Sequence, residues 1–83
     1  MTLADQIRNS FRLSDDFFKK NIIPALTRSG HTYVICDDHI DEVKSYAIPS
    51  KYENSLQDWA RENGFHTTYW YNSYGVRHIK IYI

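Results

Sequence analysis

The residues with the densest potential for chemistry lie between Cys36 and Glu42, in the run Cys-Asp-Asp-His-Ile-Asp-Glu. Carboxylates with an imidazole are ligand types that a divalent cation takes, because hard cations prefer oxygen. Asp37, Asp38, His39 and Asp41 are therefore candidate metal ligands. Their spacing matches no metal loop: no glycine stands at the turn position of a calcium loop, and no second histidine follows nearby. A solvated turn, with aspartates capping a turn or a helix, explains the same residues and is preferred. His31, His66 and His78 are a second possibility. Zinc needs three or four ligands converging in a tetrahedron, whereas strand spacing keeps His66 and His78 far apart, so ordinary surface histidines are the simpler expectation. Cys36 has no activating base. It stands beside two aspartates, which disfavour a thiolate, and reads as a small buried residue. The chain has no glycine-rich phosphate loop, nucleophile elbow or cysteine pair. No cofactor is expected, and the chain is not expected to be an enzyme.

The other concentration of chemically useful side chains is the run Phe65 to Ile83, FHTTYWYNSYGVRHIKIYI. Two stretches rich in β-branched and aromatic residues flank Asn72-Ser73-Tyr74-Gly75, which predicts a β-hairpin. A type I turn with Gly75 left-handed in a bulge leaves Ser73-Tyr74-Gly75 as the loop and sets Asn72 against Val76. Tyr69 then faces Ile79, Thr67 faces Ile81 and Phe65 faces Ile83, an apolar side expected on the core. The other side carries His66, Thr68 and Trp70 opposite Tyr82, Lys80 and His78. A slip by one residue would mix the two faces, so burial of one selects this register.

The second face is the candidate binding surface. Trp70, Tyr82, His78, Lys80 and His66, bordered by Arg77 and with Tyr74 at the loop tip, suit a protein interface, where Trp, Tyr and Arg are the usual anchors. The expected function is a small non-enzymatic interaction module of the inhibitor, adaptor or regulator type, with a protein partner. The alternative is a nucleic-acid-binding domain that stacks bases on the same rings, helped by Arg61, Arg77 and Lys51. Against it stands the charge: ten basic and ten acidic residues give a net charge of zero, while backbone binding is largely electrostatic. A third possibility is that another element covers this face and its aromatics are core. A metal-dependent enzyme built on residues 37–42 ranks below these.

The elements that must position these residues are legible in part. The 83 residues, 42% hydrophobic and 24% charged, suit a single globular domain spanning 1–83 with a modest core. Thr2 caps a short helix whose Leu3, Ile7 and Phe11 form one stripe. Ser14, followed by Asp15 and Asp16, caps a second helix with Phe17 or Phe18, Ile22, Ala25 and Leu26 on its buried side and Gly30 at its C-terminus. Pro24 inside that pattern predicts a kink or a break. His31 to Cys36 reads as a central strand, and residues 37–50 as an irregular segment or second strand ending at Pro49. Residues 52–63 form an amphipathic helix on Tyr52, Leu56, Trp59 and Ala60, closed by Asn63-Gly64. The order α-α-β-(β)-α-β-β implies an α+β fold: an antiparallel or mixed sheet of three or four strands with helices on one face. If the last strand lies at the sheet edge, its unpaired backbone invites a homodimer through the C-terminal edge strand. A lone thiol, with no signal-like or membrane-spanning segment, points to a cytoplasmic protein without membrane contact.

Overall fold

The computed structural model describes residues 2–83. Helix α1 (Leu3–Asn9) opens with a reciprocal cap: Asp5 N–H donates to Thr2 Oγ1 at 3.2 Å and Thr2 N–H donates to Asp5 Oδ2 at 3.3 Å. Its apolar stripe stays largely in solvent, with Leu3 70% and Ile7 51% exposed. Only Phe11, at the end of the stripe, is half-buried, edge-on to Tyr52.

Helix α2 (Asp15–Phe17) starts as expected, with Phe17 N–H donating to Ser14 Oγ at 3.3 Å. It runs through a π-helical turn, Phe18–Ile22, into α3 (Ile23–Ser29). This widened turn is how the chain accommodates Pro24. Pro24 falls in the first turn of α3, directly after the widened turn, the helix position where proline is best tolerated. Gly30, at φ +78°, ends α3 by donating to the Leu26 carbonyl at 2.8 Å.

The chain then enters β1 (His31–Cys36) and crosses an irregular stretch that yields only the two-residue β2 (Ala47–Ile48). A 3₁₀ turn (Ser50–Tyr52) leads into α4 (Glu53–Glu62), and β3 (His66–Tyr71) and β4 (Arg77–Tyr82) follow. The mixed four-stranded sheet has the order β2-β1-β4-β3, with β2 parallel to β1 and the other neighbours antiparallel. The C-terminal strand is therefore not an edge. β4 lies between β1 and β3, bonded on both sides, so a homodimer through the C-terminal strand is ruled out; the free edge belongs to β3.

One side of the sheet carries the core. Val34, Cys36, Ile48, Ile79 and Ile81 pack under Phe17, Phe18, Ile22 and Leu26 of the α2–α3 segment and Leu56 and Ala60 of α4. Trp59 stacks between Phe18, at 4.3 Å, and Phe65, at 5.5 Å. No charged or polar residue is buried among the described residues. The short axis of the molecule, 19 Å, is the thickness of one helical layer on one sheet. Among the described residues, no helix is long and apolar enough to cross a membrane.

The hairpin has the expected register: Tyr69 faces Ile79, Thr67 faces Ile81, and Trp70 faces His78. Gly75, at φ +77°, donates to the Asn72 carbonyl at 3.0 Å, and Asn72 N–H donates to the Val76 carbonyl at 3.0 Å. The Asn72 side chain reinforces the loop, with Oδ1 accepting from Tyr74 N–H and Val76 N–H. One expectation fails. Tyr69 and Thr67 share the core side with Ile79 and Ile81, yet both are exposed. The helical layer spends its apolar residues on β1 and β4, and no residue of β3 is buried.

Candidate functional site

The face of the sheet away from the helices is open to solvent. Strand alternation and the two antiparallel registers assemble it as three rows across β1, β4 and β3. They are His31–Tyr82–His66, Tyr33–Lys80–Thr68, and Ile35–His78–Trp70. Five of the residues expected at a partner surface, His66, Trp70, His78, Lys80 and Tyr82, thus lie together on one face. The covered-face alternative is overturned, because Tyr33 is 50% and Trp70 41% exposed.

The rings order one another. Trp70 stacks on His78 with centroids 5.4 Å apart and planes 16° from parallel, and Tyr33 meets Trp70 edge-on at 5.7 Å. His66 leans on Tyr82 at 5.5 Å, and His31 touches Tyr33 edge-on at 5.5 Å. Lys80 Nζ sits 5.3 Å from the Tyr82 centroid and 6.0 Å from that of Tyr33. Aromatic pairs of this kind contribute about 0.5–1.5 kcal/mol each beyond area burial, so the rings are held before any partner arrives. None of the nine positions is a carboxylate.

Tyr33, His31 and Ile35 belong to this surface although the hairpin alone does not reveal them. Their signal lies in β1, where Tyr33 alternates with the buried Val34 and Cys36. Without knowing that β1 pairs with β4, that alternation cannot be tied to Trp70.

Two expected members lie elsewhere. Tyr74 projects from the loop tip, 89% exposed and separate from the rows. Arg77 shares the phase of Ile79 and Ile81, so it faces the helical layer. There it forms an ion pair with Glu53, and its Nη2 donates to Tyr71 Oη at 2.7 Å. Its guanidinium lies 4.3 Å from the Tyr69 centroid. The Glu53 carboxylate, then the Tyr71 hydroxyl, hold Arg77 in its charged form more firmly than usual. Arg77 is thus a brace between α4 and the hairpin. Arg61 and Lys51, proposed as phosphate contacts, also sit in the helical layer, with Arg61 paired to Asp58 and Lys51 over the rings of Phe11 and Tyr52.

The acidic run forms a turn at the exit of β1. His39 N–H donates to Asp37 Oδ1 at 3.0 Å, and the Ser50 hydroxyl donates to Asp38. Asp37, Asp38, His39 and Asp41 do not converge: among the described residues no group of three or more His, Cys, Asp or Glu could hold a metal ion. His31 and His66 flank Tyr82 in one row, but His78 lies four residues along β4, about 13 Å away at the usual strand rise. Cys36 is buried, and its thiol pKa is pushed up to about 12, first by burial and then by Glu53, with Arg77 opposing. An inert thiol is what that environment makes. Compared with protein-family models, curated proteins and solved structures, the chain matches none.

Proposed function

We propose that this protein is a non-enzymatic interaction module that binds a protein partner through the solvent-facing side of its sheet. One observation carries the proposal. Tyr33, Trp70 and His78 pack as one ring cluster and His66 with Tyr82 as a second, bridged by Lys80 Nζ over Tyr33 and Tyr82. Together they make an aromatic surface on the side of the sheet away from the helices, half-buried at His78 and Tyr82 and exposed elsewhere. Exposed aromatic clusters are where interfaces concentrate their binding energy, and rings already held in place lose little freedom on association. The partner is met by side chains able to stack and to donate hydrogen bonds from tyrosine, histidine and indole edges. Small modules of this kind act as inhibitors, adaptors or regulators of larger proteins. The lone buried thiol is consistent with a reducing compartment such as the cytoplasm.

A single-stranded nucleic acid is the second reading. It is favoured by the absence of any carboxylate from the three rows. It ranks lower because Lys80 is the one permanent cation on the face and already lies over two rings, whereas phosphate binding draws on several cations.

The test is capture from a lysate of the source organism, with wild type beside the double variant Trp70→Ala/Tyr82→Ala, each with and without nuclease. A protein retained by wild type, lost with the folded double variant and indifferent to nuclease is the expected result. Recovery of nucleic acid instead would transfer the face to the second reading. Equal capture by both forms of the protein would remove the surface from either role.

A further inference from the structure

The free edge of β3 has a defined pattern of backbone groups. Asn72 N–H bonds to the Val76 carbonyl, so that pair is of the hydrogen-bonded type. Alternation along the ladder then makes Trp70/His78, Thr68/Lys80 and His66/Tyr82 the hydrogen-bonded pairs. The other side of β4 agrees: Ile83 N–H donates to the Gly30 carbonyl, so odd-numbered residues of β4 face β1 and even-numbered ones face β3. The N–H and C=O groups of Thr67, Tyr69 and Tyr71 therefore point away from β4, at an edge with no further strand.

That edge lacks the usual protections. Proteins guard exposed edges with proline, lysine, bulges or very short strands. The opposite edge, β2, is only two residues long. β3 is six residues of His-Thr-Thr-Tyr-Trp-Tyr, with no proline, glycine or permanent charge. Strands of this composition are the ones that add to another edge.

We infer that β3 pairs antiparallel with β3 of a second copy about a two-fold axis through Tyr69, giving one continuous eight-stranded sheet. Three features select a second copy as the occupant. The edge is self-complementary: pairing Tyr69 with Tyr69 sets Thr67 against Tyr71 twice, and all three outward residues become hydrogen-bonded pairs, about six interchain bonds. No like charges meet, because His66 falls opposite Asn72 and the rest of the strand is neutral. The rings of Tyr69 and Tyr71, each 55% exposed on the helix side, have Ile79 and Arg77 across from them on β4 and gain a second set of cross-strand neighbours on the side away from β4. The pairing does not depend on the role of the solvent-facing rows, and it leaves Tyr33, Tyr82 and Lys80 of both copies open.

Sedimentation equilibrium tests this on the full chain, beside the separately made variants Tyr69→Lys and Tyr69→Glu. Wild type is expected at twice the chain mass at millimolar concentration. Each variant sets like charges opposite one another on the two-fold and should weaken association about tenfold or more. Mixing the two variants should restore the dimer, because opposite charges then meet. A monomeric wild type, or a dimer that persists in both single variants, would overturn the pairing. A mixture that stays monomeric would overturn the two-fold at Tyr69. Hydrogen exchange on wild type needs no variant: amides of Thr67, Tyr69 and Tyr71 should gain protection as concentration rises, while those of Thr68 and Trp70 stay protected throughout. Uniform protection at all concentrations would refute the proposal.

Discussion

Replacing Ile79 and Tyr33 by alanine, one at a time, probes the two faces of the sheet at neighbouring positions and has a calculable contrast. Ile79 is 0% exposed and lies in the core cluster between the sheet and the helices. Alanine removes about three methylene equivalents, or about 2.4 kcal/mol at 0.8 kcal/mol each, and the sealed cavity adds to that, so the loss should reach about 3–4 kcal/mol. Tyr33 stands on the other face with half its surface in solvent, edge-on to Trp70 and His31. Its removal opens no closed cavity and forfeits mainly ring-pair energy, about 1 kcal/mol. Urea denaturation followed by far-UV circular dichroism reads both. If Ile79→Ala is too unstable to measure, Ile79→Val should still cost about 0.5–1.5 kcal/mol. Equal losses for Ile79→Ala and Tyr33→Ala would refute the reasoning, because they would mean that both faces are packed and that no open surface exists.

Three further outcomes follow from local geometry. Gly75→Val should destabilise the hairpin by about 1 kcal/mol or more, since a β-branched residue resists the left-handed backbone at φ +77°; urea denaturation checks it, and a neutral result would mean a different turn. Glu53→Gln sets a neutral amide oxygen in place of the carboxylate that pairs with the largely covered Arg77 guanidinium, so the charge on Arg77 loses its counter-ion. A charge-assisted bond, discounted for the partial exposure of both partners, gives a loss of about 1–2 kcal/mol, or roughly 4–16 °C in melting temperature, and calorimetry would expose an unchanged transition. The Cys36 thiol, at about 12 in the fold against 9.0 ordinarily, binds its proton more tightly in the native state. The unfolded chain therefore releases that proton first, and stability should fall as pH rises from about 9 toward 12, by up to about 1.4 kcal/mol per pH unit. Cys36→Ala should lack that component; parallel pH profiles for wild type and Cys36→Ala would contradict the burial of the thiol.

How much of this was legible in the sequence differs by element. The hairpin register could be derived because side chains alternate with period two and Gly75 fixes where the turn closes. The caps at Thr2, Ser14, Gly30 and Asn63-Gly64 could be read because their chemistry is local. Strand order could not, because nothing in the hairpin says which side of β4 the first strand joins. That one unknown hid Tyr33 and His31 from the surface, and it made the C-terminal strand look like an edge. Arg77 was misplaced for a related reason. A long cation beside an aromatic strand reads as surface until a carboxylate from a distant helix, here Glu53, is seen to meet it. The exposure of Tyr69 was hidden because alternation assigns a face but not whether a helix reaches far enough to cover it.

The central claim, that the solvent-facing rows of the sheet bind a protein, is tested most directly by photo-crosslinking in cells of the source organism. Benzoylphenylalanine is a close replacement for Tyr33, and the same group at Lys19, an exposed position in the helical layer, is the control. We predict a discrete protein adduct from position 33 that is absent from position 19. Adducts at position 19 with none at position 33, or adducts at neither, would contradict it.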